Sequence, residues 1–373
     1  MLATGNDIVN LLEEIAPLER SLEKDNCGLQ WGDLRKEVPA VLVALDFCDK
    51  VLEEALQAGA SFVFTHHPYL YRPLKNLDLR NKQDALVARA LKQDLVLFSA
   101  HTNLDVAPGG VSHALGNLLG LKDMLPLCPL GVEELEKLVT FVPEGYEDTV
   151  RDAISEAGAG WIGNYSHCTY QLLGTGTFLP RQGSSPFIGN QGSLEKVKEY
   201  RLETIMPRKR RAIVLEALFF AHPYEEVAYD LYPLANSGET WGLGKVGRLE
   251  EKLSLGELGS LCQQKLQPSY LKLLGDPHKE IEMVAVLGGS GGGYLDYVLQ
   301  TEAQAFITGD VGFHEAQKAE RHELALLDAG HEATERPVLE LVAKLLQERF
   351  SQRGLMTEVF TSGAKTAPWY LIN

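Results

Sequence analysis

The sequence predicts an α/β protein: a two-part α/β domain with a mixed sheet flanked by helices, interrupted by a ferredoxin-like α+β inserted domain. Three observations carry this reading. Short apolar runs alternate with helical patterns in the first and last thirds, and the middle third changes to a β-α-β pattern. The 373 residues, 45% hydrophobic and 23% charged, have the composition of an ordinary folded protein and the length of two or three domains.

In the first third, Val41 to Leu45 reads as a strand, Val51 to Ala58 as a helix and Ser61 to Phe64 as a second strand. Asp84 to Lys92 follows as helix, Leu95 to Phe98 as strand, and a further helix runs from about Gly110 to Leu119. This alternation implies a parallel or mixed sheet covered on both faces. The last third repeats it with strands at Met283 to Leu287, Ala305 to Thr308 and Leu324 to Leu327. Helices are expected after Gly293, near Phe313 to Glu320, and as one long segment from about Glu332 to Arg349.

Between them, Lys137 to Val142 and Gln171 to Phe178 read as strands around an amphipathic helix at Tyr146 to Ala157. A Gly/Ser/Pro-rich stretch, Pro180 to Gly192, separates these from a helix near Arg210 to Phe220 and a strand at Val227 to Leu234. The order is the ferredoxin-like one. Residues 131–237 are therefore expected to be an inserted domain, with 1–130 and 238–373 forming the discontinuous α/β domain, an arrangement that close chain ends permit.

The net charge of −16 opposes non-specific attraction to nucleic acid or anionic lipid. Five scattered cysteines form no C-x-x-C pair and no even framework, which favours a reducing compartment. The N-terminal segment lacks the basic and apolar regions of a secretory signal, and no apolar run is long enough to span a membrane. A cytoplasmic protein with neither nucleic acid nor membrane as partner is expected.

Candidate chemistry gathers beyond the carboxyl ends of predicted strands, where α/β sheets bind ligands. His66 and His67 follow the second strand, Asp105 follows Leu95 to Ala100, and His331 follows Leu324 to Asp328. In the turn leaving a strand, both adjacent histidine rings can swing toward one cavity. His331 and Glu335, four residues apart at a helix start, share a face, and a carboxylate there could bridge two metals. Three imidazoles and two carboxylates would not saturate two ions, which leaves positions for water or substrate. Nitrogen and oxygen donors without thiolate suit Zn, Mn, Fe or Co. The competing reading makes these residues helix caps and surface pairs.

Gly288 to Gly293, between a strand and a helix, could offer backbone N–H groups to a phosphate, but it lacks the Lys-Ser/Thr of a P-loop and a plain turn is favoured. The stretch Lys196 to Arg211 holds seven basic residues and could steer an anion; a solvated helix start and loop is the favoured reading. His101 and His314 are candidate acids, bases or supporting partners of the ligands. Cys27 has no base near it in sequence and receives no nucleophilic role.

Five ordered segments then become recognisable: Asp25-Asn26-Cys27-Gly28-Leu29-Gln30-Trp31-Gly32-Asp33; Thr65-His66-His67-Pro68; Ser99-Ala100-His101-Thr102-Asn103-Leu104-Asp105; Thr308-Gly309-Asp310 with His314; and Asp328-Ala329-Gly330-His331-Glu332-Ala333-Thr334-Glu335. They resemble the signature blocks of the GTP cyclohydrolase I type 2 family, also called NIF-three-like, over roughly residues 1–125 and 240–373. The resemblance implies that His66, His67, Asp105, His331 and Glu335 are the five ligands of a dinuclear centre, two divalent ions per subunit. It also implies a homohexamer built as a trimer of dimers, and a PII/CutA-like insert, which the segment Phe220-Ala221-His222-Pro223-Tyr224-Glu225-Glu226 resembles.

The function expected is that of a metal-dependent hydrolase acting on a nucleotide or related phosphorylated heterocycle. The contrasting expectation is a non-enzymatic metal-binding or regulatory protein whose inserted domain senses a small molecule or gates the cavity.

Overall fold

A computed structural model of the chain describes residues 1–72 and 74–369. It is a mixed α/β protein with several helix-flanked sheets, and it divides into two compact units: Met1–Leu130 with Trp241–Asn373, and Gly131–Thr240.

In the first unit, the central strands Ala40–Ala44, Phe62–Thr65 and Val96–Ser99 are buried along their whole length and pair in parallel. Alternation of side chains divides them between two cores. Val41, Val43, Phe62, Phe64 and Phe98 pack with helices Gly5–Ile15 and Pro337–Gln352. Leu42, Ala44, Val63 and Leu97 pack with helices Asp49–Gln57 and Lys82–Lys92. The Gly28–Trp31 strand closes one edge antiparallel, and Glu358–Thr361 returns from the far end of the chain to close the other in parallel.

The chain from Thr240 onward, joined by the earlier strand Leu121–Val132, builds a second sheet. Its six strands run in the order Lys272–Leu274, Ala325–Asp328, Ala305–Gly309, Glu280–Ser290, Thr240–Ser254 and Leu121–Val132. One shared mixed sheet was the expectation, and this corrects it: eleven strands would exceed the roughly ten that a strongly twisted open sheet carries before splitting. The Leu255–Leu266 helix covers one face of the second sheet, opened by a capping box of Ser254 and Glu257.

Three local expectations are also corrected. The single helix over 332–349 is two, His331–Glu335 and Pro337–Gln352, because Pro337 has no N–H to continue the ladder. The helix after Gly293 is only a 3-10 turn and the four residues Leu295–Val298. The basic stretch starting at Lys196 is mostly a strand, Glu195–Pro207, with Leu202, Thr204 and Met206 buried at every second position. Four of its seven basic residues are paired: Lys209 reaches Glu133 at 2.6 Å, Arg201 reaches Glu203 at 2.7 Å, and Arg208 and Arg211 contact Glu134 and Glu136.

In the Gly131–Thr240 unit, four antiparallel strands run in the order Tyr229–Pro233, Leu135–Pro143, Glu195–Pro207, Thr169–Phe178. Val150 and Ile154 of the Glu147–Glu156 helix and Val214 and Leu218 of Arg211–Ala221 join Leu138, Val142, Leu202 and Met206 in a separate core.

Candidate metal centre

Strand ends position the site. Sheet hydrogen bonding continues past Thr65, with the His66 N–H donating to Ala44 O at 3.2 Å and that of His67 to Leu45 O at 2.9 Å. The next strand delivers His101 and, in the short Thr102–Val106 helix, Asp105. From the other sheet, Ala325–Asp328 leads through Gly330, whose φ of +80° turns the chain, into the helix carrying His331 and Glu335.

The five residues expected as ligands come together in the first unit, and His101 joins them. Ring centroids lie 4.9 Å apart for His66 and His67, 5.2 Å for His66 and His101, and 5.5 Å for His67 and His331. Donor atoms of His66, His67 and His101 lie within 4.8 Å of one another, as do those of His67, His331 and Glu335. Asp105 meets the cluster at 3.6 Å, Oδ1 to His66 Nε2. His314 lies elsewhere, exposed on its helix with Nδ1 3.4 Å from Gln317.

Each clustered ring has its Nδ1 engaged from behind. His66 Nδ1 lies 2.9 Å from Ala100 O, His67 Nδ1 2.8 Å from Asp46, His101 Nδ1 3.1 Å from Asp25, and His331 Nδ1 2.7 Å from Asp310. These acceptors assign the proton to Nδ1 and leave Nε2 as the donor facing the centre, the arrangement that orients metal-binding histidines. Asp46 was not foreseen, although it follows the first predicted strand as the expected ligands follow theirs.

Glu335 lies at the middle. Its Oε1 is 3.0 Å from His331 Nε2 and 3.7 Å from His66 Nε2, and its Oε2 is 3.1 Å from His67 Nε2. Gly289, at φ +74°, makes room for it, since a Cβ there would lie 2.3 Å from Oε1. That use replaces the phosphate cradle considered for the glycine run: the Gly288 and Gly289 N–H groups donate to Ser112 and Thr334 hydroxyls.

The electrostatics suit a cation. Burial, the largest influence on His67, lowers its pKa, but Asp46 and Glu335 outweigh it and raise it to about 10. Contact with Glu335 raises His331 to about 9, with burial opposing and Asp310 helping. Burial pushes the Asp105 carboxyl up to about 6, against the attraction of His66. Glu335 is held well below the usual carboxylate range, its burial outweighed by His331, His66 and His67. Burial and the neighbouring His66 lower His101, against Asp25. His66 Nε2 is buried without a hydrogen-bond partner, a costly condition that a coordinated cation relieves. These His and Glu groups could hold a metal ion.

Cys27 Sγ lies 3.1 Å from Asp25, and burial raises its pKa, so the thiolate that nucleophilic chemistry needs is disfavoured. Beside the centre, a cavity of about 430 Å³ is bordered by His67, His331, Asp310, Tyr270, Lys365 and Trp369. Among the described residues, no helix is long and apolar enough to cross a membrane.

The chain is 40% identical over 371 residues to a Halalkalibacterium halodurans protein named GTP cyclohydrolase 1 type 2 homolog, with both chains covered in full. It is 37% identical over 369 residues to the Mycobacterium tuberculosis protein of the same name, covering 98% of this chain and 96% of the other. Its fold matches the crystal structure of a Bacillus cereus protein related to NIF3 with a TM-score of 0.90, at 40% identity over the whole of both chains. Staphylococcus aureus SA1388 matches at a TM-score of 0.73 and 26% identity, covering 100% of this chain and 99% of the other. Residues 3–368 match the family described as Duf34/NIF3 (NGG1p interacting factor 3), and the chain belongs to that family.

Proposed function

We propose that this protein binds two divalent ions through His66, His67, Asp105, His331 and Glu335, and is a hydrolase of a nucleotide or related phosphorylated heterocycle. The observation that carries the reading is the placement of Glu335, with its two oxygens facing different imidazoles whose Nδ1 atoms are held from behind. A carboxylate so placed suits a bridging role between neighbouring ions. When bound, the metal supplies Lewis acidity and activates water. Asp46, Asp310 and the Ala100 carbonyl keep the imidazoles oriented, and His101, held by Asp25, is the nearest candidate to move a proton.

The cavity beside the centre is within the range of small-molecule sites, and Lys365 on its lining suits an anionic group. The relatives' name supports a purine nucleotide as the first substrate to try. We also read Gly131–Thr240 as ferredoxin-like and PII/CutA-like; its β-α-β-β-α-β order and antiparallel sheet support this. A cytoplasmic homohexamer, a trimer of dimers, completes the proposal.

The test is a turnover screen against purine nucleotides with metal content measured in the same preparation. Product formation should vanish on chelation, return with Mn, Zn or Co, and fall by orders of magnitude in His331→Ala. Hydrolysis that survives both chelation and His331→Ala would overturn the assignment. Saturable, metal-dependent nucleotide binding without product over hours would establish the second reading, a regulatory metal protein. That reading is favoured by the scarcity of bases beside the ligands: of the clustered imidazoles, only His101 is not among the five.

A further inference from the structure

The Gly131–Thr240 unit contains a second cavity, of about 570 Å³, with aromatic walls and a buried carboxylate. Phe178 and Phe187 pack against Tyr224 with ring centroids 6.0 and 6.4 Å away, and Tyr146 supports Phe187 from behind at 5.5 Å. Phe141 also lines the cavity, and Arg201 already lies over its ring, 5.8 Å from the centroid. The carboxylate is Glu199, only 8% exposed, on the Glu195–Pro207 strand. Its Oε1 accepts a 2.9 Å hydrogen bond from the Tyr224 hydroxyl. The opposite strand gives it room: a Cβ on Gly176 would lie 1.8 Å from Glu199 Oε2.

A buried carboxylate is expensive unless it is paired with a cation or saturated with hydrogen bonds. Among the described residues, no Lys, Arg or His lies within ion-pair distance of Glu199. Its neighbours at the cavity are aromatic rings, which can attract positive charge through their π-systems, and the further carboxylates Glu225 and Glu226. Arg181, also on the lining, is exposed. A cavity with carboxylate acceptors and aromatic rings but, among the described residues, no buried cation on its lining is complementary to a ligand that brings its own positive charge.

We propose that this cavity is a binding site for a small organic cation of the alkylammonium class, with Glu199 pairing the nitrogen and Phe178, Phe187 and Tyr224 enclosing it. The inference uses only the inserted unit and stands whether or not the metal centre is catalytic. Such a site would give the insert a ligand of its own, distinct in chemistry from anything the imidazole cluster would take.

Isothermal titration of the full-length protein with choline and with putrescine tests it. At least one of these cations should bind saturably at millimolar concentration or below, equally well with and without chelator. The uncharged analogue of that cation, with carbon in place of nitrogen, should bind at least about tenfold more weakly. Glu199→Gln keeps an acceptor for Tyr224 and should weaken binding by about tenfold or more; Phe187→Ala, at an exposed ring, should weaken it about threefold or more. Failure of both cations to saturate, equal binding of the uncharged analogue, or unchanged affinity in Phe187→Ala would each overturn the proposal. If Glu199→Gln does not fold, the analogue comparison and Phe187→Ala still decide it.

Discussion

His67 and Glu335 arrive from different sheets and meet with Nε2 and Oε2 3.1 Å apart, while Asp46 holds the far nitrogen of the same imidazole at 2.8 Å. The ring is thus fixed between two carboxylates, one that orients it and one that shares its space with His331.

If Glu335 bridges, removing its charge should cost metal and leave the fold. Glu335→Gln is expected to lower bound metal to one ion or less per chain, with an unchanged circular dichroism spectrum. Elemental analysis of protein purified without chelator measures it, and undetectable metal in the unmodified protein would refute the centre itself.

The orienting carboxylates should matter almost as much as the ligands. Asp46→Ala and Asp310→Ala each remove an Nδ1 partner and should weaken metal affinity about 10- to 100-fold in competition titrations. His314→Ala, on an exposed helix face, should change affinity little.

Excising the inserted unit should leave the metal centre working. The strands Leu121–Val132 and Thr240–Ser254 are neighbours in the sheet, and a Cβ on Gly242 would lie 2.1 Å from Cys128 O, so a short Gly/Ser linker can replace residues 131–240. Metal content per chain should be unchanged. Loss of all folded protein would place part of the core's stability in the insert.

Glu136 gives the insert a predictable response to acid. Its hydrogen bond from Arg211 Nε, 2.9 Å long, holds its carboxyl below the ordinary value of 4.5, against a smaller effect of burial. A depressed folded-state pKa contributes stability above the unfolded value and loses it as pH falls through the folded one. Glu136→Gln should therefore lower the melting temperature at pH 7 by a few degrees and flatten the decline below about pH 4.5. Identical melting curves for the two proteins from pH 7 to pH 3 would remove this pair from the stability of the insert.

A homohexamer of this chain would have a mass of about 250 kDa. Light scattering at micromolar concentration should give that value, and a monomeric mass would reject the ring.

Much of the architecture was legible because it repeats a local rule. Strands such as Ala40–Ala44 and Phe62–Thr65 are short, wholly buried and almost wholly apolar, since both faces are covered, and they announce themselves without their neighbours. The histidines and carboxylates just past those strands were legible for the same reason. The capping boxes at Thr4 and Asp7 and at Ser254 and Glu257 were equally local signals, yet the helices they open were not foreseen. Glu195–Pro207 was hidden because its charged residues alternate with its buried ones, and a count of charge masks a period of two.

Other features depended on contacts between distant parts of the chain. The sequence determined which side chains can donate to a metal, and that His331 and Glu335 share a helix face. Only the tertiary structure decided that eleven strands divide into two sheets, that Asp46 stands behind His67, and that Gly289 yields its side-chain volume to the Glu335 carboxylate. Strand and helix periodicity are written within a few consecutive residues, whereas the meeting of Glu335 with His67 is defined by a distance between segments more than two hundred residues apart. That distance exists only after the hydrophobic faces of both sheets have been buried.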